Sequence, residues 1–147
     1  MSTDLHPDFP VVTGDYVLTQ GWRVALPEQF NRRIEDGSLV LWRPELTFWI
    51  NVWHGEGQVK VDAVLERLLA DASAARSEEN IERSGAIARL SYELAEDDAE
   101  RSDSGGRSVN AFVIAPTGYV QLSAYYDSPE ARALAHDVIA SLRADPV

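Results

Sequence analysis

The chain has 147 residues, no cysteine and a formal net charge of −11, from 24 Asp+Glu against 13 Lys+Arg. That length suits one domain with a core of its own. The missing cysteine excludes a disulfide framework, a thiolate nucleophile and a cysteine-based metal site. The acidic balance argues against nucleic acid or an anionic membrane as partner. It fits a basic protein partner, and solubility alone explains it equally well.

In chain order, residues 1–14 read as an irregular tail, with Pro7 and Pro10 around an acidic-aromatic segment. The single domain is expected over 15–147. Tyr16-Val17-Leu18 reads as a short strand. Trp22, Val24 and Leu26 share a face in a second strand, stopped at Pro27. Residues 27–37, PEQFNRRIEDG, read as a polar connection with Asp36-Gly37 as its turn signal.

The densest stretch follows, SLVLWRPELTFWINVWH over residues 38–54. Phe48, Ile50 and Val52 alternate with Trp49, Asn51 and Trp53. A turn at Arg43-Pro44-Glu45-Leu46, with proline at the second position, predicts a β-hairpin. An even loop places Leu39 and Leu41 beside Phe48 and Ile50, and Val40 and Trp42 beside Trp49. Both faces are apolar, which predicts a strand pair covered on each side by a helix. The alternative is one covered face and one exposed aromatic face that serves binding.

Residues 61–75 form an amphipathic helix, with Val61, Val64, Leu65, Leu68 and Ala72 on one stripe and Asp62 as N-cap or first-turn acid. Ser77–Ser84 carries one large apolar residue, Ile81, and reads as a weak edge strand. Residues 86–94 alternate as a strand with one buried side. The acidic loop 95–106 contains no core residue. Val109–Ala115 and Tyr119–Tyr126 make a second hairpin across Ala115-Pro116-Thr117-Gly118. Ser128-Pro129-Glu130 starts a last helix, as cap, proline and first-turn acid. The predicted fold is α+β: a mostly antiparallel sheet of about six strands and two helices, in the order β(2-3)-α-β(2-3)-α, as an α/β/α sandwich.

This order resembles the PsbP/Mog/DcrB-like α/β/α sandwich proteins. The resemblance rests on GWRVALPEQF, VDAVLERLLADA, GAIARLSYEL, VNAFVIAPTGYVQLSAYY and EARALAHDVIASL, across residues 15–143. It lies in architecture and hydrophobic spacing. It implies a small binding or adaptor protein, including chaperone-like adaptors of bacterial secretion systems, and it carries no catalytic residue onto this chain.

No phosphate loop, dinucleotide fingerprint, nucleophile elbow or zincin helix is present. His54 ends the central strand, and with Glu28, Glu45 or Glu56 it is a candidate general base for a small enzyme. His136 is expected beside the solvent face of the last helix. Glu93, Glu96, Asp97, Asp98, Glu100 and Asp103 depart from the EF-hand order and read as a solvated run. No metal, cofactor or catalytic residue is expected. The candidate partner-binding residues are Trp42, Trp49, Trp53, Tyr119 and Tyr125, aromatic residues of the kind enriched in recognition patches.

The leading expectation is a non-catalytic binding or adaptor protein holding a protein segment or small ligand on a sheet face or sheet-helix groove. A homo-oligomer is a further possible partner state. The alternatives are the His54 enzyme and an acidic immunity or inhibitor protein. No stretch is apolar enough to span a bilayer. The start, MSTDLHPDFP, lacks the basic and apolar regions of a secretory signal, so the expected compartment is the cytoplasm.

Overall fold

The turn at Arg43-Pro44-Glu45-Leu46 sets the centre of the sheet. Strands β3 (Ser38–Arg43) and β4 (Leu46–His54) close it with Arg43 opposite Leu46. Glu45 takes a positive φ of 69°, the backbone that the third position of a type II turn requires. Its carbonyl accepts a hydrogen bond from the Asp127 N–H at 3.0 Å, which fixes the turn. The pairing is the even one: Leu39 faces Ile50, Leu41 faces Phe48, and Val40 faces Trp49.

The structure is a computed structural model and describes residues 5–19, 21–55, 59–72, 74, 76–95 and 107–144. Two strands precede the hairpin, β1 (Val11–Thr19) and β2 (Trp22–Glu35). Helix α1 (Val61–Asp71), β5 (Ser77–Ser84), β6 (Ile87–Ala95), β7 (Arg107–Ala115) and β8 (Gly118–Tyr126) follow. Helix α2 (Pro129–Ser141) and the two-residue β9 (Arg143–Ala144) end the described chain. All pairings are antiparallel, in the order β1-β2-β3-β4-β8-β7-β6-β5, with β9 on β2.

The expected six-stranded sheet is therefore corrected to nine strands in one sheet, four before α1, four between the helices and one after α2. Beyond the count, β1 and β2 are longer than expected. Residues 27–35, read as a connection, continue β2. Pro27 is tolerated because it falls in an irregularity: Leu26 pairs with Gly14, but Phe30 pairs with Val12. The residues between them need not donate to the ladder. Strand β1 begins at Val11, ahead of the expected end of the tail at residue 14.

The two helices lie on opposite faces. On one, α2 packs over β2, β4, β7 and β8, closing a core that includes Trp22, Phe30, Leu41, Phe48, Leu122 and Leu142. The Ser128 hydroxyl caps α2 by accepting from the Ala131 N–H at 3.1 Å, a cap worth about 1 kcal/mol. On the other face, α1 packs over β6 and β7, on Ala88, Leu90, Tyr92, Phe112 and Ile114. Leu65 is its one fully buried residue. Lys60 occupies the N-cap position and makes no side-chain cap bond, and Asp62 instead pairs with Arg83.

Among the described residues, no helix covers β3 and β4 on the α1 side. The prediction that helices cover both sides of the hairpin is therefore corrected: one side lies under α2, and on the other Trp42 and Trp49 are half-buried and Trp53 is exposed.

A candidate recognition face

The period of two in β4 and β8 builds this face. Register places Thr47 opposite Tyr125, Trp49 opposite Ser123, Asn51 opposite Gln121 and Trp53 opposite Tyr119, all on the α1 side. Trp42 joins from β3, opposite Thr47. All five predicted binding residues (Trp42, Trp49, Trp53, Tyr119 and Tyr125) thus share one face.

They do not share one environment. Asn31, fully buried in β2, ties down the segment before β1. Its Oδ1 accepts from the His6 N–H at 2.7 Å, and its Nδ2 donates to the carbonyls of His6 and Phe9. That holds Phe9 edge-on against Trp42, with ring centroids 5.0 Å apart. On the other side the Arg33 guanidinium lies 4.6 Å from the Trp42 ring centre and 5.9 Å from that of Trp49. Arg33 also pairs with Glu35 at 2.8 Å. Phe9, Trp42, Arg33 and Trp49 therefore form a ladder that satisfies itself, and Trp42 is more a packing residue than a contact.

The other end of the face is open. Trp53 is 42% exposed and stacks on Tyr119 at 4.8 Å with the rings 22° apart. Arg67 of α1 donates to the Tyr119 hydroxyl at 3.1 Å, which bounds the face on the helix side. Gly118 makes the geometry possible: a Cβ there would overlap the Trp53 carbonyl oxygen. Only glycine lets β8 approach β4 at His54 and so bring Tyr119 onto Trp53.

Between the aromatic groups lie two amides. The Ser38 hydroxyl donates to Asn51 Oδ1 at 2.8 Å. Among the described residues, Asn51 Nδ2 and the whole Gln121 amide have no hydrogen-bond partner. Both side chains are half-buried, so their donors and acceptors are available to a ligand at modest desolvation cost. Behind them, Ser123 donates to Asn110 Oδ1 at 2.8 Å, and Asn110 Nδ2 donates to Ser108 Oγ at 3.1 Å. The face thus offers ring surface and neutral donors and acceptors. Sequence reading grouped Asn51 with the tryptophans but passed over Arg33; the signal was its two-residue spacing from buried Asn31, hidden because 27–37 reads as a loop.

The predicted catalytic pairing does not assemble from Glu28 or Glu45. His54 is exposed at one end of β4 and Glu45 precedes the other, nine residues or about 30 Å away along an extended strand. Glu28 lies at the Glu45 end, 3.9 Å from Arg43. Glu56 lies outside the described residues, as do residues 96–103 of the acidic run. Glu93 belongs elsewhere, inside the α2 face. Its carboxylate accepts from the Tyr126 hydroxyl at 3.0 Å and from Arg132, with His136 Nε2 at 3.4 Å. His136 is half-buried, its side chain 43% exposed, with Nε2 turned to this carboxylate. Burial alone would raise the Glu93 pKa, but Arg132, Tyr126 and His136 outweigh it and hold the group below its usual value. Among the described residues no group of three His, Asp or Glu side chains is placed to hold a metal ion.

No helix is long and apolar enough to cross a membrane among the described residues. No family model and no curated protein matches the chain. Its fold is similar to that of a protein of Bacteroides thetaiotaomicron solved at 1.50 Å resolution, with a TM-score of 0.62 and 16% identity across 92% of this chain. This chain spans 50% of the length of that one, and the likeness is one of fold alone.

Proposed function

We propose that this chain is a small non-catalytic binding or adaptor protein of the cytoplasm, and that it holds a protein segment on the Trp49–Trp53–Tyr119 end of the sheet. The carrying observation is the exposed Trp53, stacked on half-buried Tyr119, beside the Gln121 amide and Asn51 Nδ2, which have no partner among the described residues. Tryptophan and tyrosine bury large area on binding at small entropic cost, and they dominate interface energies. The Gln121 amide and the Nδ2 donor of Asn51, opposite one another, suit the N–H and C=O groups of a peptide, which must be matched when they leave water. The resemblance to PsbP/Mog/DcrB-like proteins, with their adaptor branch, points the same way.

The test is crosslinking in the native cell with wild type, Trp53→Ala and Gln121→Ala, at matched melting temperatures. The reading expects a defined partner that both variants lose. Equal capture by all three contradicts it, and so does loss of a small molecule with no protein partner. Sedimentation of the purified chain, wild type and Trp53→Ala, separates a second copy from a foreign partner.

A further inference from the structure

The α2 face holds a second opening, away from the aromatic one. Helix α2 packs mainly over β2, β4, β7 and β8 and touches β6 at Glu93. This leaves a groove of about 490 Å³ between the outer side of α2 and β5–β6, within the range of small-molecule sites. Arg89 and Ser91 of β6 form one wall, Ala111 and Val113 of β7 the floor, and His136 and Ile139 of α2 the other wall.

Arg89 is the unusual group. It is half-buried, and its one hydrogen bond among the described residues is from Nη2 to the carbonyl of Leu142, at 2.5 Å. A guanidinium carries five N–H donors, so four remain. Among the described residues no carboxylate lies within ion-pair distance. Glu82, opposite Arg89 on β5, already accepts from Asn80 Nδ2 at 2.8 Å. Asp137 also faces the groove, from an exposed position on α2. Burial pulls the Arg89 pKa down, with Glu82 opposing it, so the site exacts a desolvation cost that Glu82 offsets only in part.

We propose that this groove binds the carboxylate of a small organic acid with an apolar body. The carboxylate lies in the plane of the Arg89 guanidinium and accepts two N–H bonds, the bidentate match that arginine makes and lysine cannot. The Ser91 hydroxyl, two residues along the same strand face, donates to the same group. The apolar body lies against Ile139 and Ala140 of α2, above the buried Ala111 and Val113. The net charge of −11 slows an anion's approach, but screening limits that field to about 10 Å at 0.1 M salt. At contact Arg89 decides.

The experiment titrates hexanoate against hexanamide and follows backbone amide shifts at Arg89, Ser91, Ala111 and Val113 by NMR. Saturable shifts with hexanoate, at least tenfold weaker with hexanamide, are expected. Arg89→Lys keeps a charge near Leu142 and the melting temperature, yet weakens hexanoate tenfold or more. Ser91→Leu fills the groove and does the same without touching Arg89. A dipeptide with a free C-terminus, compared with its amide, separates a peptide end from a free acid as the source of the carboxylate. Equal binding of hexanoate and hexanamide, or hexanoate binding unchanged in both variants, overturns the proposal, as does the absence of saturation with any carboxylate.

Discussion

The two faces of the sheet are built to different standards. The α2 face carries the larger core: a capped helix, Ala131, Ala135 and Val138 buried along it, and a cluster reaching from Trp22 to Leu142, with one groove left at its β5–β6 side. The α1 face closes only at β6 and β7, under an uncapped helix that fully buries one leucine. Beyond it the sheet keeps its tryptophans, and Gln121 and Asn51 Nδ2 have no hydrogen-bond partner among the described residues. Stability is concentrated on one side, which frees the other for contact.

The sharpest way to break this contrast is to empty each core in turn. Phe48→Ala on the α2 face is expected to cost about 3–5 kcal/mol, and Leu65→Ala under α1 nearer 2 kcal/mol, by denaturant unfolding. Equal losses would remove the distinction. Gly118→Ala comes next. Its Cβ would meet the Trp53 carbonyl, so it should cost about 2–3 kcal/mol and pull Tyr119 off Trp53, read as a change in near-ultraviolet circular dichroism.

Glu93 tests the polar seam of the α2 face. Its pKa lies below the ordinary 4.5 when folded, so its stabilisation is present above the unfolded value. It is lost as pH falls through the folded value. The wild type should lose stability on acidification below about pH 4.5, and Glu93→Gln should flatten that part of the profile. Titration of the folded chain by NMR locates the group directly. The smallest effect is expected at Trp53: Trp53→Ala should change stability by less than about 1 kcal/mol while abolishing partner binding.

The sequence reading located the hairpins and missed the sheet's extent, for identifiable reasons. Strict alternation over 47–54 and the even loop at Pro44 were enough to pair Leu39 with Ile50, since a slip of one residue would expose the whole apolar row. The strand through 27–35 was invisible because Pro27 and a charged run mask it, and what holds it is distant: Val12 beyond an irregularity and the buried Asn31 beneath Phe9. The five aromatic candidates were legible as one face from their parity. Which of them stay open was not, because it depends on where α1 ends and where Phe9 lands. Arg89 read as the polar side of a half-buried strand, and only the position of α2 makes that side a groove wall.

The account rests on the openness of the Trp53 end of the face, and collisional quenching of single-tryptophan variants measures it directly. Retaining Trp53 alone should give acrylamide quenching near that of a free indole, Trp49 alone an intermediate rate, and Trp22 alone, which is 1% exposed, strong protection. Trp53 as protected as Trp22 would contradict it.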